Sequence, residues 1–158
     1  MKQLDRKKLN VGCGKDYRDG WINLDYDGKC DVKHDLNKFP YPFEDNYFDY
    51  ILCSHTLEHV LEPLKVAKEL HRILKRKGEI VFLLPVGDFT IDHFRGIHTK
   101  DYFYALVRND GAGNDSRKSF ELIHQKRRLK KPIRLYFRFR NWFLNLFTDE
   151  WEYKLKKI

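Results

Sequence analysis

At 158 residues the chain is long enough for one domain with a real core and too short for two ordinary ones. Its 42% apolar and 34% charged residues exclude a disordered chain, and the longest apolar run, 80–86 with Pro85 inside it, falls far short of the roughly 20 residues of a membrane span. The formal charge of +8 is unevenly placed: residues 1–85 carry 15 Lys and Arg against 14 Asp and Glu, residues 86–158 carry 16 against 9, so the C-terminal half favours anionic partners.

In chain order, 8–11 reads as a short buried strand running into Gly12-Cys13-Gly14, and 21–25 as a second strand. The stretch between them is too short for a full crossover helix. A very short third strand is expected at 32–34. Residues 39–43 contain two prolines, each restricting its predecessor and lacking a donor, so they form a loop. Asp45-Asn46 then turns into 48–54, an apolar run suited to a sheet interior.

Pro63 opens the clearest helix, with Val66, Ala67, Leu70, Ile73 and Leu74 at three- and four-residue spacing. Lys75, Arg76 and Lys77 suit the negative end of its dipole, and Gly78 is expected as its left-handed cap. A strand follows at 79–84. Thr99 can cap a helix to about Arg108, and 110–116 reads as a loop rich in glycine and asparagine. Strands are expected at 120–129 and 152–158. Between them, 133–147 forms a helical pattern with Arg134, Arg138, Asn141 and Asn145 on one stripe and aromatic residues over much of the rest. This succession predicts an α/β fold, a Rossmann-like doubly wound, mostly parallel sheet with an inserted aromatic helix before the last strand. The whole of 1–158 is expected to be a single domain, with a core at 7–110 and a basic aromatic segment at 117–158 completing the sheet.

In such sheets a ligand sits at the carboxyl ends of the strands. Gly12 and Gly14 let backbone approach it closely. Asp25, ending the second strand, can accept both hydroxyls of a ribose, Asp35 an adenine amino group, and Leu36 can lie against the ring. Ser54 and His55 would flank the reacting end. These parts in this order suit an adenosine-containing cofactor.

The stretch from Leu9 to Pro85 resembles the core of class I S-adenosylmethionine-dependent methyltransferases, especially the small methyltransferase type 11 group. Asn10-Val11-Gly12-Cys13-Gly14 is similar to that family's first motif, Leu24-Asp25 to its ribose acid and His34-Asp35-Leu36 to its adenine site. Residues 42–49 through Ser54-His55-Thr56-Leu57-Glu58-His59-Val60 resemble its fourth region, and residues 70–75 the helix before strand five. Asn10 stands where many relatives have an acid, Asp16 where a third glycine is common, and Arg76-Lys77-Gly78 replaces Pro-Gly-Gly. The resemblance implies a class I methyltransferase fold with an antiparallel last strand. It also implies S-adenosylmethionine as cofactor, held by Asn10, Gly12, Cys13, Gly14, Asp25, Asp35, Leu36, Ser54 and His55. Methyl transfer to a small-molecule or sugar acceptor follows from it. Where the acceptor needs a base, His55 and His59 are the catalytic candidates, since imidazole titrates near neutrality.

Rival readings remain. His55-Thr56-Leu57-Glu58-His59 is an HxxEH string, but it follows a buried strand and lacks a third ligand, so no metal is expected. A nicotinamide site would need a third glycine opening a real helix. An RNA methyltransferase, or a binding module that has lost catalysis, could use the basic residues of 126–140 on RNA or an acidic membrane surface. The helix at 133–147 could instead bury its aromatic face in a homodimer. Cys13, Cys30 and Cys53 show no CxxC spacing, and with no signal-peptide core at the N-terminus they suggest a reducing, cytoplasmic setting.

Overall fold

The computed structural model describes residues 6–85, 120–128 and 150–158. They form one seven-stranded sheet in the order β3-β2-β1-β4-β5-β7-β6. The strands are β1 (Lys8–Val11), β2 (Ile22–Asp25), β3 (Val32–Lys33), β4 (Phe48–Ser54), β5 (Leu74–Pro85), β6 (Phe120–Arg128) and β7 (Glu150–Lys157), with helix α1 (Pro63–Ile73) between β4 and β5. The first five strands are parallel, and β7 is antiparallel to both β5 and β6. The expected mostly parallel sheet is thus present. The helix and loop read at 99–116 and the aromatic helix at 133–147 lie outside the described residues. So does most of the basic stretch 126–140. Among the described residues no helix is long and apolar enough to cross a membrane.

Alternation along the strands sends one set of side chains to α1. Leu9, Val11, Leu24, Ile51, Cys53, Ile80, Phe82, Leu84, Tyr153 and Leu155 join Val66, Leu70 and Ile73 in one buried cluster. The spacing of the apolar residues in α1 is therefore the spacing of its contact face.

The other face is organised differently next to β1 and β2. Asn10 and Asn23 stand side by side in the register and are 2% and 0% exposed. Buried amides need partners, since an unsatisfied one is costly. Asn10 Nδ2 donates to Asp16 O at 2.7 Å and to Asn23 Oδ1 at 3.2 Å. Asn23 Nδ2 donates to Arg18 O and to Asp31 Oδ2, while Asn23 Oδ1 accepts the Arg18 N–H. Tyr17 Oη closes the set on Asp31 Oδ1 at 2.7 Å. The 12–21 connection has no helix, and this network shapes it instead.

Two expectations at α1 are corrected. The helix stops at Ile73, and Leu74 is already extended (ψ 134°) as the first residue of β5. Gly78 is not a left-handed cap. The left-handed residue is Lys77 (φ 63°), within a bulge where Leu74 pairs with Phe48 and Glu79 with Tyr50. A strand that begins at once leaves no turn in which a glycine cap could close, so the carbonyls at the helix end find a donor from afar. Lys157, at the end of β7, is 8% exposed, and its ammonium donates to His71 O, Leu74 O and Asn46 Oδ1 at 2.8–2.9 Å. It replaces the local lysines in the role expected of them.

Arg72 ties α1 to the loop before β4. It donates to Glu69 Oε1, Asp45 Oδ1, Phe43 O and Tyr41 O. Burial pushes the Glu69 carboxyl up, but the Arg72 guanidinium and the Tyr41 N–H outweigh it and leave the carboxyl below its ordinary value. The same balance holds Asp49 down, with Lys75 and the Lys7 N–H overcoming burial, and Tyr17 and Asn23 hold Asp31 down. A carboxylate depressed by folding contributes stability above its unfolded value, near 4, and loses that contribution as pH falls through the folded value. The thermal midpoint is therefore expected to hold steady from about pH 7 to about pH 5 as far as these groups are concerned, and to fall steeply below about pH 4. A midpoint unchanged down to about pH 3 would show these pairs to be energetically idle.

Candidate binding cleft

The parallel strands deliver their carboxyl ends to one edge of the sheet. At the end of β1 the backbone turns through Gly12 (φ 63°) and Gly14 (φ 49°). A Cβ on Gly12 would fall onto the Thr56 side chain, so the position needs glycine for space as well as for backbone angle. Thr56 is buried, and its hydroxyl lies 3.2 Å from Val11 O and 2.9 Å from Ser54 O, joining the ends of β1 and β4.

β2 ends at Asp25. Its Oδ2 accepts the Gly14 N–H at 2.7 Å and its Oδ1 the Asp27 N–H at 3.2 Å, so the carboxylate is fixed against the glycine turn. After β3, Asp35 Oδ1 accepts the Asn37 N–H at 3.0 Å, and Asn37 Oδ1 accepts the Leu61 N–H at 2.8 Å. The turn after β3 is thereby pinned to the loop after β4.

β4 runs into His55, which takes a left-handed backbone (φ 49°) and donates its N–H to Leu83 O. Its Nε2 is 2.9 Å from Glu150 Oε2 and its Nδ1 is 3.5 Å from Glu58 Oε1. A 3-10 turn follows at Leu57–His59. HxxEH zinc binding needs both histidines on one face of a continuous helix. Here the left-handed residue breaks that geometry, and among the described residues no His, Cys, Asp and Glu group could hold a metal.

These ends enclose a cleft of about 460 Å³, within the range of small-ligand sites. Gly12, Asp25, Asp35, Leu36, His55 and His59 line it, so most of the residues expected there are brought together. Others stand behind it. Asn10 is committed to the buried amide network, and Cys13 turns its thiol toward Lys29 O at 3.6 Å. Burial, then the Asp25 charge, pushes that thiol up to about 11. Gly14 supports Asp25 through its N–H, and Ser54 offers its carbonyl to Thr56.

The sequence reading missed Tyr26, Asn37, Thr56 and Val60, which also line the cleft. Tyr26 is 72% exposed, and the signal was an aromatic residue directly after Asp25. Thr56 gave no signal, because its contact with the first turn bridges 45 residues of chain.

Residues 9–82 match the model of a methyltransferase domain family. The chain is 30% identical to an uncharacterized protein of Methanocaldococcus jannaschii, over 66% of this chain and 63% of that one. It is 30% identical to the demethylmenaquinone methyltransferase of Staphylococcus epidermidis, over 53% of this chain and 34% of the other. The chain thus spans from about a third to just under two thirds of the length of these curated relatives. Among solved structures it superimposes on a SAM-dependent methyltransferase from Archaeoglobus fulgidus with a TM-score of 0.65 at 15% identity, covering 96% of this chain and 86% of that one, a likeness of fold.

Proposed function

We propose that this chain, whose residues 9–82 match the model of a methyltransferase domain family, binds S-adenosylmethionine in the cleft and transfers its methyl group to a small-molecule acceptor. One observation carries the reading: Gly12, Asp25, Asp35 and Leu36, from three separate strand ends, line a single cleft. The residues present fit the cofactor. Asp25 is an acceptor fixed against a glycine turn, suited to a pair of ribose hydroxyls. Leu36 and the exposed ring of Tyr26 offer apolar surface for adenine, and Asp35 an acceptor for its amino group.

When bound, the cofactor supplies an electrophilic methyl group on a sulfonium. The chain's own contribution is placement. Gly12 and Thr56 fix the floor between β1 and β4, and the Asn37–Leu61 bond fixes the wall that carries His59 and Val60. Holding two reactants in line can supply roughly 7–11 kcal/mol without any proton transfer. The small-molecule class is supported by the demethylmenaquinone named for the staphylococcal relative.

The test is calorimetric titration with S-adenosylhomocysteine. Asp25→Ala is expected to weaken binding by about 10- to 100-fold, the equivalent of roughly 1.5–3 kcal/mol for hydrogen bonds to a charged acceptor. Unchanged affinity in the variant, or no binding to the unaltered chain, would overturn the assignment.

A further inference from the structure

His55 stands between two carboxylates contributed by distant parts of the chain. Glu58 comes from the adjoining 3-10 turn and is 6% exposed. Glu150 opens β7, 95 residues further on, and is 7% exposed. The register shows how it arrives: Ser54 pairs with Leu83, and Pro85 with Glu150, so the bond reaches over the end of β5 from the strand beyond it.

An ionised carboxylate only accepts hydrogen bonds, so His55 Nε2, 2.9 Å from Glu150 Oε2, carries a hydrogen. With that proton placed, a neutral ring would turn the Nδ1 lone pair toward Glu58 Oε1 at 3.5 Å, setting two acceptors face to face. A second proton on this side removes the conflict. Glu58 supports that reading, since its Oε2 is buried without a hydrogen-bond partner and an uncompensated charge there is costly. Among the described residues, Glu58 on the 3-10 turn and Glu150 on β7 face the ring, and His59, Asp25 and Asp35 line the same cleft. Two carboxylates beside the ring favour its cationic form.

We propose that Glu150 is a positioning residue of the cleft. It holds the His55 ring through Nε2 while Glu58 faces Nδ1, so that both ring nitrogens face carboxylates and His55 forms a fixed cationic wall rather than a base. The benefit to ligand binding rests on the cofactor reading above, whereas the state of the ring does not. Glu150 thereby makes the shape of the cleft depend on the docking of β7.

Two measurements test this on the full chain, with Glu150→Gln and Glu150→Ala beside the parent. Calorimetry with S-adenosylhomocysteine is run from about pH 6 to about pH 9, and the His55 ring is followed over the same range by NMR without ligand. Glu150→Ala is expected to weaken binding by about tenfold or more while the amide spectrum of the sheet persists. Glu150→Gln keeps an acceptor for the Nε2 proton but not the charge. It should bind within about threefold of the parent at low pH and lose affinity about one pH unit earlier as pH rises, with the ring titration displaced in step. Parental affinity in Glu150→Ala, or an unmoved ring titration in Glu150→Gln, would overturn the proposal. Should Glu150→Ala fail to fold, the glutamine variant decides. If the parent binds the nucleoside at no pH, the cofactor reading fails and the ring titration alone judges Glu150.

Discussion

Gly12→Ala is expected to abolish measurable S-adenosylhomocysteine binding and to destabilise the fold by about 2–5 kcal/mol. A side chain in the left-handed region costs about 1–2 kcal/mol, and overpacking a filled site about 1–3 kcal/mol more. Both apply, because Gly12 has φ 63° and an added Cβ would overlap the buried Thr56 side chain. Thr56 cannot simply yield, since its hydroxyl bridges Val11 O and Ser54 O. Urea unfolding separates the two costs: in the double variant with Thr56→Ala the two closest contacts, to Oγ1 and Cγ2, are removed, and the backbone strain, a tight Cβ contact at 3.0 Å and the lost bridge remain. Parental stability and affinity in Gly12→Ala would mean that the first turn does not have the geometry described.

Arg72→Met is expected to cost about 2–4 kcal/mol in the same unfolding experiment. The substitution keeps most of the apolar stem but removes donors to four acceptors in α1 and the 41–45 loop. It also leaves Glu69, whose side chain is 12% exposed, without its counter-charge. The figure sits below that for a fully buried pair because Arg72 is 27% exposed and partly screened. A second signature follows from the sign of the Glu69 displacement. With the guanidinium gone, the Glu69 carboxyl rises toward or above its unfolded value, so the loss of stability on acidification becomes shallower. A cost under about 0.5 kcal/mol would assign the network to surface decoration rather than to the fold.

Much of this architecture was legible in the chain itself. β4 coincides with the apolar run 48–54, and β1 with 8–11, because both strands are buried in the sheet interior and their composition shows it. Asp25, Asp35 and Leu36 were legible for a different reason: each closes a strand or the turn after it, where a parallel sheet presents ligand-binding groups. What the sequence hid was long-range. No local rule shows that Lys157 closes the end of α1, that Thr56 fills the space over Gly12, or that Glu150 meets His55. Asn10 was expected at the cofactor from its place in the first motif; alternation turns its amide toward Asn23 and Asp16, where it is buried in the amide network. The end of α1 misled because Lys75, Arg76, Lys77 and Gly78 form a plausible local stop, and only the pairing of Leu74 with Phe48 reveals an earlier one.

The position of β7 bears on how the chain is made. Within the described sheet β6 pairs with β7 alone, and β5 offers β7 the edge opposite β4. A ribosome completes β5 and β6 before it completes the strand that separates them. At roughly 5–20 residues per second, the stretch from Arg128 to Lys157 takes about 1.5–6 s to synthesise. Throughout that interval the β5 edge lacks its β7 partner, and Ile80, Phe82 and Leu84 lack the cover of Tyr153 and Leu155. Such an edge can recruit strands from neighbouring nascent chains. Yield in the cell should therefore depend on how quickly translation passes the codons after Arg128, and slowing the ribosome there should raise the insoluble fraction without altering a single amino acid.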